Sequence, residues 1–141
     1  MIKIIVITLF LSIHIPANTQ PEIVGKTFIT QIGSSCKEVI GDDSCAGLKI
    51  YMELYFEENN VDVIEASVNS CGERTTEMID GFPWHWAKDK HWTIVFGDPE
   101  RTKHTIIENI RLTMQNDLLI GEKLDENGNV LQEYCFQEFI K

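Results

Sequence analysis

The sequence lacks several features that would place it in a familiar enzyme class. It has four cysteines but no Cys-x-x-Cys pair, the spacing at which cysteines commonly hold zinc. It also has no Gly-x-Ser-x-Gly element and no cysteine–histidine nucleophile signature to accompany His85, His91 or His104. We therefore predict a protein that is not an enzyme, with no catalytic residue and no cofactor.

Positive charge is scarce. The chain has 12 lysines and arginines against 22 aspartates and glutamates, a net charge of −10. Nucleic acids and anionic membranes are bound by clustered cations, so neither is an expected partner. An acidic surface instead attracts a basic protein or a cation, although it also serves solubility alone.

Long apolar runs are missing after residue 15. Lys3 followed by the apolar stretch from Ile4 to Ile15 has the layout of a secretory signal peptide, and the stretch is too short to span a bilayer. We expect residues 1–19 to be removed, with cleavage after Thr19 or after Ala17; a buried N-terminal strand is the alternative. Residues 20–141 would then form one secreted or periplasmic domain with no membrane span.

An even number of cysteines in an exported chain predicts disulfide bonds. The four are Cys36, Cys45, Cys71 and Cys135, and the sequence does not choose among their three possible pairings. We prefer Cys36 with Cys45, which would staple one loop, and Cys71 with Cys135, which would tie the last strand to an internal turn.

Alternation of apolar and polar residues runs through most of residues 20–141 and predicts half-buried strands. In "LKIYMELYF", Leu48, Met52 and Phe56 share one face while Tyr51 and Tyr55 lie on the other. Further strands are predicted in "GKTFITQI", "VDVIEASVN", "RTTEMID", "WHWA", "HWTIVF", "KHTIIENI", "DLLIGEKL" and "VLQEYCFQEF", while "IRLTMQND" is ambiguous and ends in an Asn-Asp turn cue.

The turn cues between these segments are closely spaced. They include Asp98-Pro99 and Asn127-Gly128. Eight or nine strands with short connections predict an all-β fold, an antiparallel up-and-down barrel of about eight strands or a sandwich. We favour the barrel because it leaves no exposed edge strands.

The stretch "GFPWHWAKDKHW" holds all three tryptophans of the chain. If Ala87 pairs with His91 across a three-residue loop, Trp86 lies opposite Trp92, Trp84 lies opposite Ile94, and the three indoles share one sheet face. A four-residue loop would instead pair Ala87 with Trp92. We prefer the first register because it gathers more apolar surface on one side.

An eight-stranded barrel can enclose one small apolar ligand. The residues predicted to line such a cavity are Trp84, Trp86, Trp92, Phe96, Met52, Leu54 and Phe56. A filled core made of the same side chains is the alternative. His85, His91 and Asp89 form a conceivable zinc set, but we predict no metal site, because histidines on an outer strand face are usually ordinary surface residues.

The longest connection is "GSSCKEVIGDDSCAG", residues 33–47. Two cysteines and the acidic pair Asp42-Asp43 suggest a pinned loop that loses little entropy when it docks on another protein. This predicts, as the alternative function, an acidic inhibitor or immunity-type protein that binds a basic protein partner.

The order of "IVGKTF" near the start, a meander, and "IRLTMQNDLLIGEKLDENGNVLQEYCFQEF" at the end resembles the small exported lipocalin-like proteins of bacteria. Thr27 stands where lipocalins typically have the tryptophan of Gly-x-Trp. The resemblance implies an eight-stranded antiparallel barrel, open at one end, that holds an apolar ligand. It implies no catalytic residues.

Overall fold

The computed structural model describes residues 19–36 and 45–140 of the chain. The predicted signal peptide lies outside the described residues apart from Thr19, as do Asp42, Asp43 and most of the predicted pinned loop. The described residues form a closed barrel in which each of eight antiparallel strands pairs with the next. The elements are β1 (Thr27–Cys36), β2 (Gly47–Phe56), β3 (Asn60–Asn69), β4 (Arg74–Lys88), β5 (Trp92–Phe96), a short helix α1 (Pro99–Thr102), β6 (Ile110–Gln115), β7 (Leu118–Leu124) and β8 (Val130–Phe139). The all-β, up-and-down barrel predicted from the sequence is confirmed.

The hairpin of β2 and β3 illustrates how the alternation builds the core. Leu54 lies opposite Val63, and Phe56 lies opposite Val61. All four side chains are fully buried. Because successive residues of a strand face opposite sides of the sheet, one apolar set on each strand fills the barrel interior.

Two tight turns have the sequence chemistry that their backbone requires. Asn116 and Asp117, between β6 and β7, both have positive φ angles, a conformation that asparagine and aspartate tolerate better than most residues. Between β7 and β8, Gly128 also has a positive φ, and the Asp125 carboxylate accepts hydrogen bonds from the backbone N–H groups of Asn127 and Asn129. The Asn-Asp and Asn-Gly cues are confirmed as turns.

The strand division around Pro83 differs from the prediction. "RTTEMID" and "WHWA" belong to one continuous strand, β4, which changes partners along its length. Its last pair with β3 is Pro83 with Asn60, and its first pair with β5 is Trp84 with Phe96. Proline has no N–H group to donate to a ladder, and it lies where β4 exchanges one neighbour for the other.

The prediction of a strand in "KHTIIENI" is wrong. Residues 103–109 form successive turns, and His104 and Asn109 have positive φ angles that bend the chain. Ile107 is 1% exposed within the core. This connection packs against the core as it crosses from β5 to β6. An apolar residue therefore occurs at position 107 although it is not in a strand.

An ion pair and a hydrogen bond, each from a cationic side chain, hold this connection against the sheet. The Arg101 guanidinium lies 2.7 Å from the Asp80 carboxylate of β4 and over the Phe82 ring. On the other side, the Lys123 ammonium of β7 donates a hydrogen bond to the backbone carbonyl of Glu108. At the opposite end of the barrel, the segment before β1 buries Ile23, and the Gly25 N–H donates to the carbonyl of Phe56.

The preferred cysteine pairing is wrong. Cys45 is bonded to Cys71, with Cα atoms 5.1 Å apart, while Cys36 and Cys135 are exposed free thiols. The start of β2 lies beside the turn between β3 and β4, because Leu48 pairs with Asn69. This register brings together two cysteines that are 26 residues apart in sequence.

Candidate functional site

The side chains predicted to line a ligand cavity lie in the barrel interior, where they pack on one another. Met52, Leu54 and Phe56 are fully buried, and Trp84 is 8% exposed. The Phe56 ring meets the Phe28 and Trp84 rings edge to face, with centroids 5.9 and 5.2 Å apart. Trp86 and Phe96 are partly buried against the same cluster. In these contacts the residues behave as a packed core.

The three tryptophans share one sheet face, as predicted, but their cross-strand partners differ. The loop has three residues, yet it joins Lys88 to Trp92, so Trp86 lies opposite Ile94 and Trp84 opposite Phe96. A shift of two residues keeps every side chain on its predicted face, because the side-chain period of a strand is two. The Trp86 and Trp92 rings still meet diagonally, with centroids 5.9 Å apart.

The indole N–H groups of Trp84 and Trp92 have different environments. The Trp84 N–H donates to the carbonyl oxygens of Glu57 and Asn60, at 2.9 and 3.1 Å. The Trp92 N–H is buried and has no acceptor among the described residues. A buried donor of this kind is uncommon in proteins and calls for an acceptor such as water or a ligand.

A second site, which sequence reasoning missed, lies on the outside of the barrel wall. Alternation places several apolar and aromatic side chains of β1–β4, and Phe139 of β8, on the outward side of the sheet. We call this surface the outer face, and it comprises Thr27, Ile29, Glu53, Tyr55, Ile64, Arg74, Met78 and Phe139. It contains a cavity of about 500 Å³, lined by Thr27, Glu53, Tyr55, Ile64, Arg74 and Phe139.

An ion pair forms the polar part of this cavity. The Arg74 guanidinium contacts the Glu53 carboxylate. Glu53 is only 8% exposed, although alternation puts it on the outward side of β2. Ala66 lies between them on β3 and is fully buried. Its small side chain leaves room for Arg74 to reach Glu53.

Apolar groups surround the ion pair. In the paired register, Ile29 and Ile64 flank Glu53 on the neighbouring strands. Met78 and Phe139 lie further out and are 58% and 46% exposed. Met78 lies beside Ile64 and Phe139 beside Thr27, so an exposed apolar side chain flanks the cavity on each side, as is typical of a binding surface.

The sequence did contain a signal for the outer face. Apolar and aromatic residues occur at the outward positions of β2 and β3, where alternation predicts polar residues. Tyr51 and Tyr55 occupy that side of β2, and on β3 the apolar residues Ile64, Ala66 and Val68 follow Asp62 on the same side. Tyrosine has an apolar ring and a polar tip, which suits a surface that binds a partner. The position of Met78 could not be read in this way, because a bulge in β4 between the partners of Val63 and Ile64 resets which side each residue faces.

The three histidines among the described residues are not part of a metal-binding cluster. His85 and His104 are exposed, and His91 lies in the turn after β4. Among the described residues, no cluster of three or more histidine, cysteine, aspartate or glutamate side chains is arranged to hold a metal ion. The described part of the chain also has no helix with the length and apolar character needed to cross a membrane.

Comparison of the chain with protein-family models, with curated proteins and with solved structures found no significant match. The eight-stranded antiparallel barrel agrees with the fold implied by the lipocalin-like resemblance.

Proposed function

We propose that this chain is an exported, non-enzymatic binding protein that engages a basic protein partner through its outer face. The observation that carries the proposal is the combination of exposed Met78 and Phe139 with the cavity built around the Glu53–Arg74 pair. Export is proposed from the leader-like sequence of residues 1–19 and accords with the disulfide between Cys45 and Cys71.

The contacts of the outer face suit docking of another protein surface. A partner side chain that enters the cavity would contact the Tyr55 and Phe139 rings and the Ile64 side chain, while water is excluded. Anchors of this kind supply most of the binding free energy in protein interfaces. The ion pair fixes the floor of the cavity, which reduces the entropy lost when the partner binds.

The charge of the chain selects the class of partner. The outer face itself carries one acid and one base, whereas the whole chain has a net charge of −10. An acidic protein attracts a basic partner over distances of about a Debye length and raises the association rate. An inhibitor or immunity-type role follows if that partner is an enzyme.

A photo-cross-linking experiment tests the proposal. A benzophenone amino acid replaces Met78 on the outer face or, as a control, Glu126 in the exposed turn before β8. In the organism that produces the chain, we expect a discrete adduct with one basic protein from position 78 and none from position 126. The purified partner should bind with at least tenfold lower affinity after Phe139→Asp and should bind more weakly as salt increases.

Equal adducts from both positions, the lack of any adduct, or an affinity that Phe139→Asp leaves unchanged would each rule out the outer face as the binding surface. Circular dichroism of each variant establishes that the barrel is folded. The variants at Phe139 suit this purpose because its side chain is already 46% exposed.

A second candidate is the binding of a small apolar ligand at the tryptophan end of the barrel, as the lipocalin-like relationship implies. It is favoured by the buried Trp92 N–H, which lacks an acceptor among the described residues, beside the Trp86 ring. Native mass spectrometry of the purified protein should reveal a ligand-sized adduct that Trp92→Phe reduces. A spectrum without an adduct, together with tryptophan fluorescence unchanged by the apolar probe anilinonaphthalene sulfonate, would contradict this candidate.

A further inference from the structure

The barrel closes through very few residue pairs between its first and last strands. Within the described chain, β1 and β8 pair only at Thr27 with Phe139, Phe28 with Glu138, and Ile29 with Gln137. Both strands continue well beyond this contact, β1 as far as Cys36 and β8 back to Val130. Residues 30–36 of β1 and 130–136 of β8 therefore lie beyond the paired rows and make no ladder pair with the other strand. We call this region the seam and define it by residues 30–36 and 130–136.

The seam contains a groove of about 430 Å³. Its walls come from both strands and from Tyr51 of β2; the lining residues are Ile29, Thr30, Gln31, Tyr51, Gln132, Glu133, Tyr134, Cys135 and Gln137. Tyr134 packs against the hydrophobic core, and Thr30 is 8% exposed, whereas Gln31, Glu133 and Gln137 are exposed. The groove thus runs from the surface towards the barrel interior.

Backbone groups make this groove different from an ordinary surface cleft. On their other sides, β1 pairs with β2 and β8 pairs with β7, so among the described residues each strand has an unpaired edge along the seam. A sheet edge presents a row of N–H and C=O groups that can pair with an added strand. Two such edges face one another here.

We propose that the seam binds an extended, basic segment of another polypeptide as an added strand between β1 and β8. Because β1 and β8 run antiparallel, the segment would be antiparallel to one of them and parallel to the other. At about 3.3 Å per residue, seven residues would span the unpaired stretch. This groove shares only Ile29 with the outer face, so either proposal can fail without the other.

The lining side chains specify the chemistry of the segment. Its inward residues would meet Thr30 and Tyr134, which favours small or β-branched apolar side chains at alternate positions. Its outward residues would pass Glu133, the only carboxylate among the nine lining residues, which include no lysine or arginine. With a net charge of −10 on the chain, outward lysines or arginines are favoured.

The test uses a capped heptapeptide of sequence KVKVKVK as the probe. Its controls are KVKPKVK, which keeps the charge but loses a backbone N–H and the extended pairing, and the anionic EVEVEVE. We expect saturable binding of KVKVKVK in isothermal titration calorimetry, at least tenfold tighter than KVKPKVK, with no binding of EVEVEVE. Amide hydrogen exchange should slow in residues 30–36 and 130–136 and stay unchanged in β3.

A matched pair of protein variants separates the seam from general charge attraction. Glu133→Lys lies in the groove and Glu126→Lys in the exposed turn before β8, and both change the net charge equally. We expect Glu133→Lys to weaken KVKVKVK binding by about fivefold or more and Glu126→Lys to change it by less than twofold. Circular dichroism verifies that both variants are folded.

Several results would overturn the proposal. Equal affinities for KVKVKVK and KVKPKVK, or equal effects of the two lysine variants, would show that the binding is non-specific charge attraction. The absence of binding, or protection confined to residues outside the seam, would exclude an added strand of this chemistry. Concentration-dependent dimers that protect the same amides without peptide would assign the seam to a second copy of the chain instead.

Discussion

Cys45, two residues before β2, is covalently bonded to Cys71 in the turn between β3 and β4, so one disulfide closes a loop that contains a complete β-hairpin. The backbone beside it is also tied, because the Ser70 N–H donates to the carbonyl of Gly47 at 2.8 Å. The bond therefore reinforces a contact that the strand register has already made. It leaves Cys36 and Cys135 as free thiols.

Replacing the bonded pair should cost stability, whereas replacing the free pair should not. For a 26-residue separation, the loss of loop-closure entropy predicts that Cys45→Ser with Cys71→Ser lowers the free energy of unfolding by about 3.5 kcal/mol. The matched control, Cys36→Ser with Cys135→Ser, should change it by less than about 0.5 kcal/mol, because both side chains are exposed. Urea denaturation measures both values, and a large loss in the control would mean that the free cysteines are bonded in solution.

Removing Arg74 should be more harmful than removing both members of its ion pair. Arg74→Met leaves the Glu53 carboxylate, only 8% exposed, without its cationic partner, at a cost of about 1–3 kcal/mol. In the double variant Glu53→Met with Arg74→Met, no unpaired charge remains, so part of that loss should be recovered. Urea denaturation at neutral pH gives both values. Additive losses in the double variant would show that the two charges are not coupled.

The indole N–H groups should contribute differently to stability. Trp84→Phe deprives the carbonyls of Glu57 and Asn60 of a donor and should cost about 1–2 kcal/mol beyond the loss of ring area. Trp92→Phe removes a buried N–H that has no acceptor among the described residues and should cost less. Thermal and urea unfolding of the two variants, measured side by side, would contradict this if Trp92→Phe were the more damaging change.

The Asp80–Arg101 contact should make stability depend on pH in the acid range. The hydrogen bond from Arg101, followed by that from the Gly81 N–H, holds the pKa of the Asp80 carboxyl below its ordinary value. A pKa that is lower in the folded state stabilises the protein above the unfolded-state pKa, near 4, and this stabilisation is lost as pH falls through the folded pKa. Asp80→Asn should therefore be less stable than the natural chain at pH 6, and the difference should shrink towards pH 2.

Asp89→Asn is the control for this pH dependence, since the Asp89 side chain makes no ion pair or hydrogen bond with a described residue. Its stability should follow that of the natural chain across the same pH series. A gap between the natural chain and Asp80→Asn that stays constant from pH 6 to pH 2 would mean that the carboxylate charge does not stabilise this contact.

The sequence predicted best the strands that show apolar–polar alternation and pair with the next strand through a short turn. β2 and β3 combine alternation with a short turn. The segment of β6 was ambiguous in the sequence, but the turn cue Asn116-Asp117 that joins it to β7 accepts the positive φ angles of a tight hairpin. The strand prediction fails at residues 103–109 because apolar residues that cover the end of a barrel resemble, in sequence, those of a strand. Only the fold reveals that Ile107 packs against the core from a connection.

The candidate sites divide in the same way. The clustering of Trp84, Trp86 and Trp92 on one face followed from alternation and a three-residue loop, and a register shift of two residues preserves it. Their exact partners did not follow, because the turn between β4 and β5 fixes the register through its own geometry. Other features depend on contacts between segments that are distant in sequence, which no local pattern specifies. They are the Cys45–Cys71 bond, the Glu53–Arg74 pair and the seam between β1 and β8.

The sequence by itself determined an acidic all-β chain with alternating strands and well-marked turns, because side-chain alternation and turn chemistry act between near neighbours. Only the tertiary structure decided which strands change partners, which cysteines meet, and where the barrel wall stays unpaired. These outcomes depend on the tilt, the bulges and the register of all the strands in the closed sheet. The sequence of a single segment therefore does not specify them.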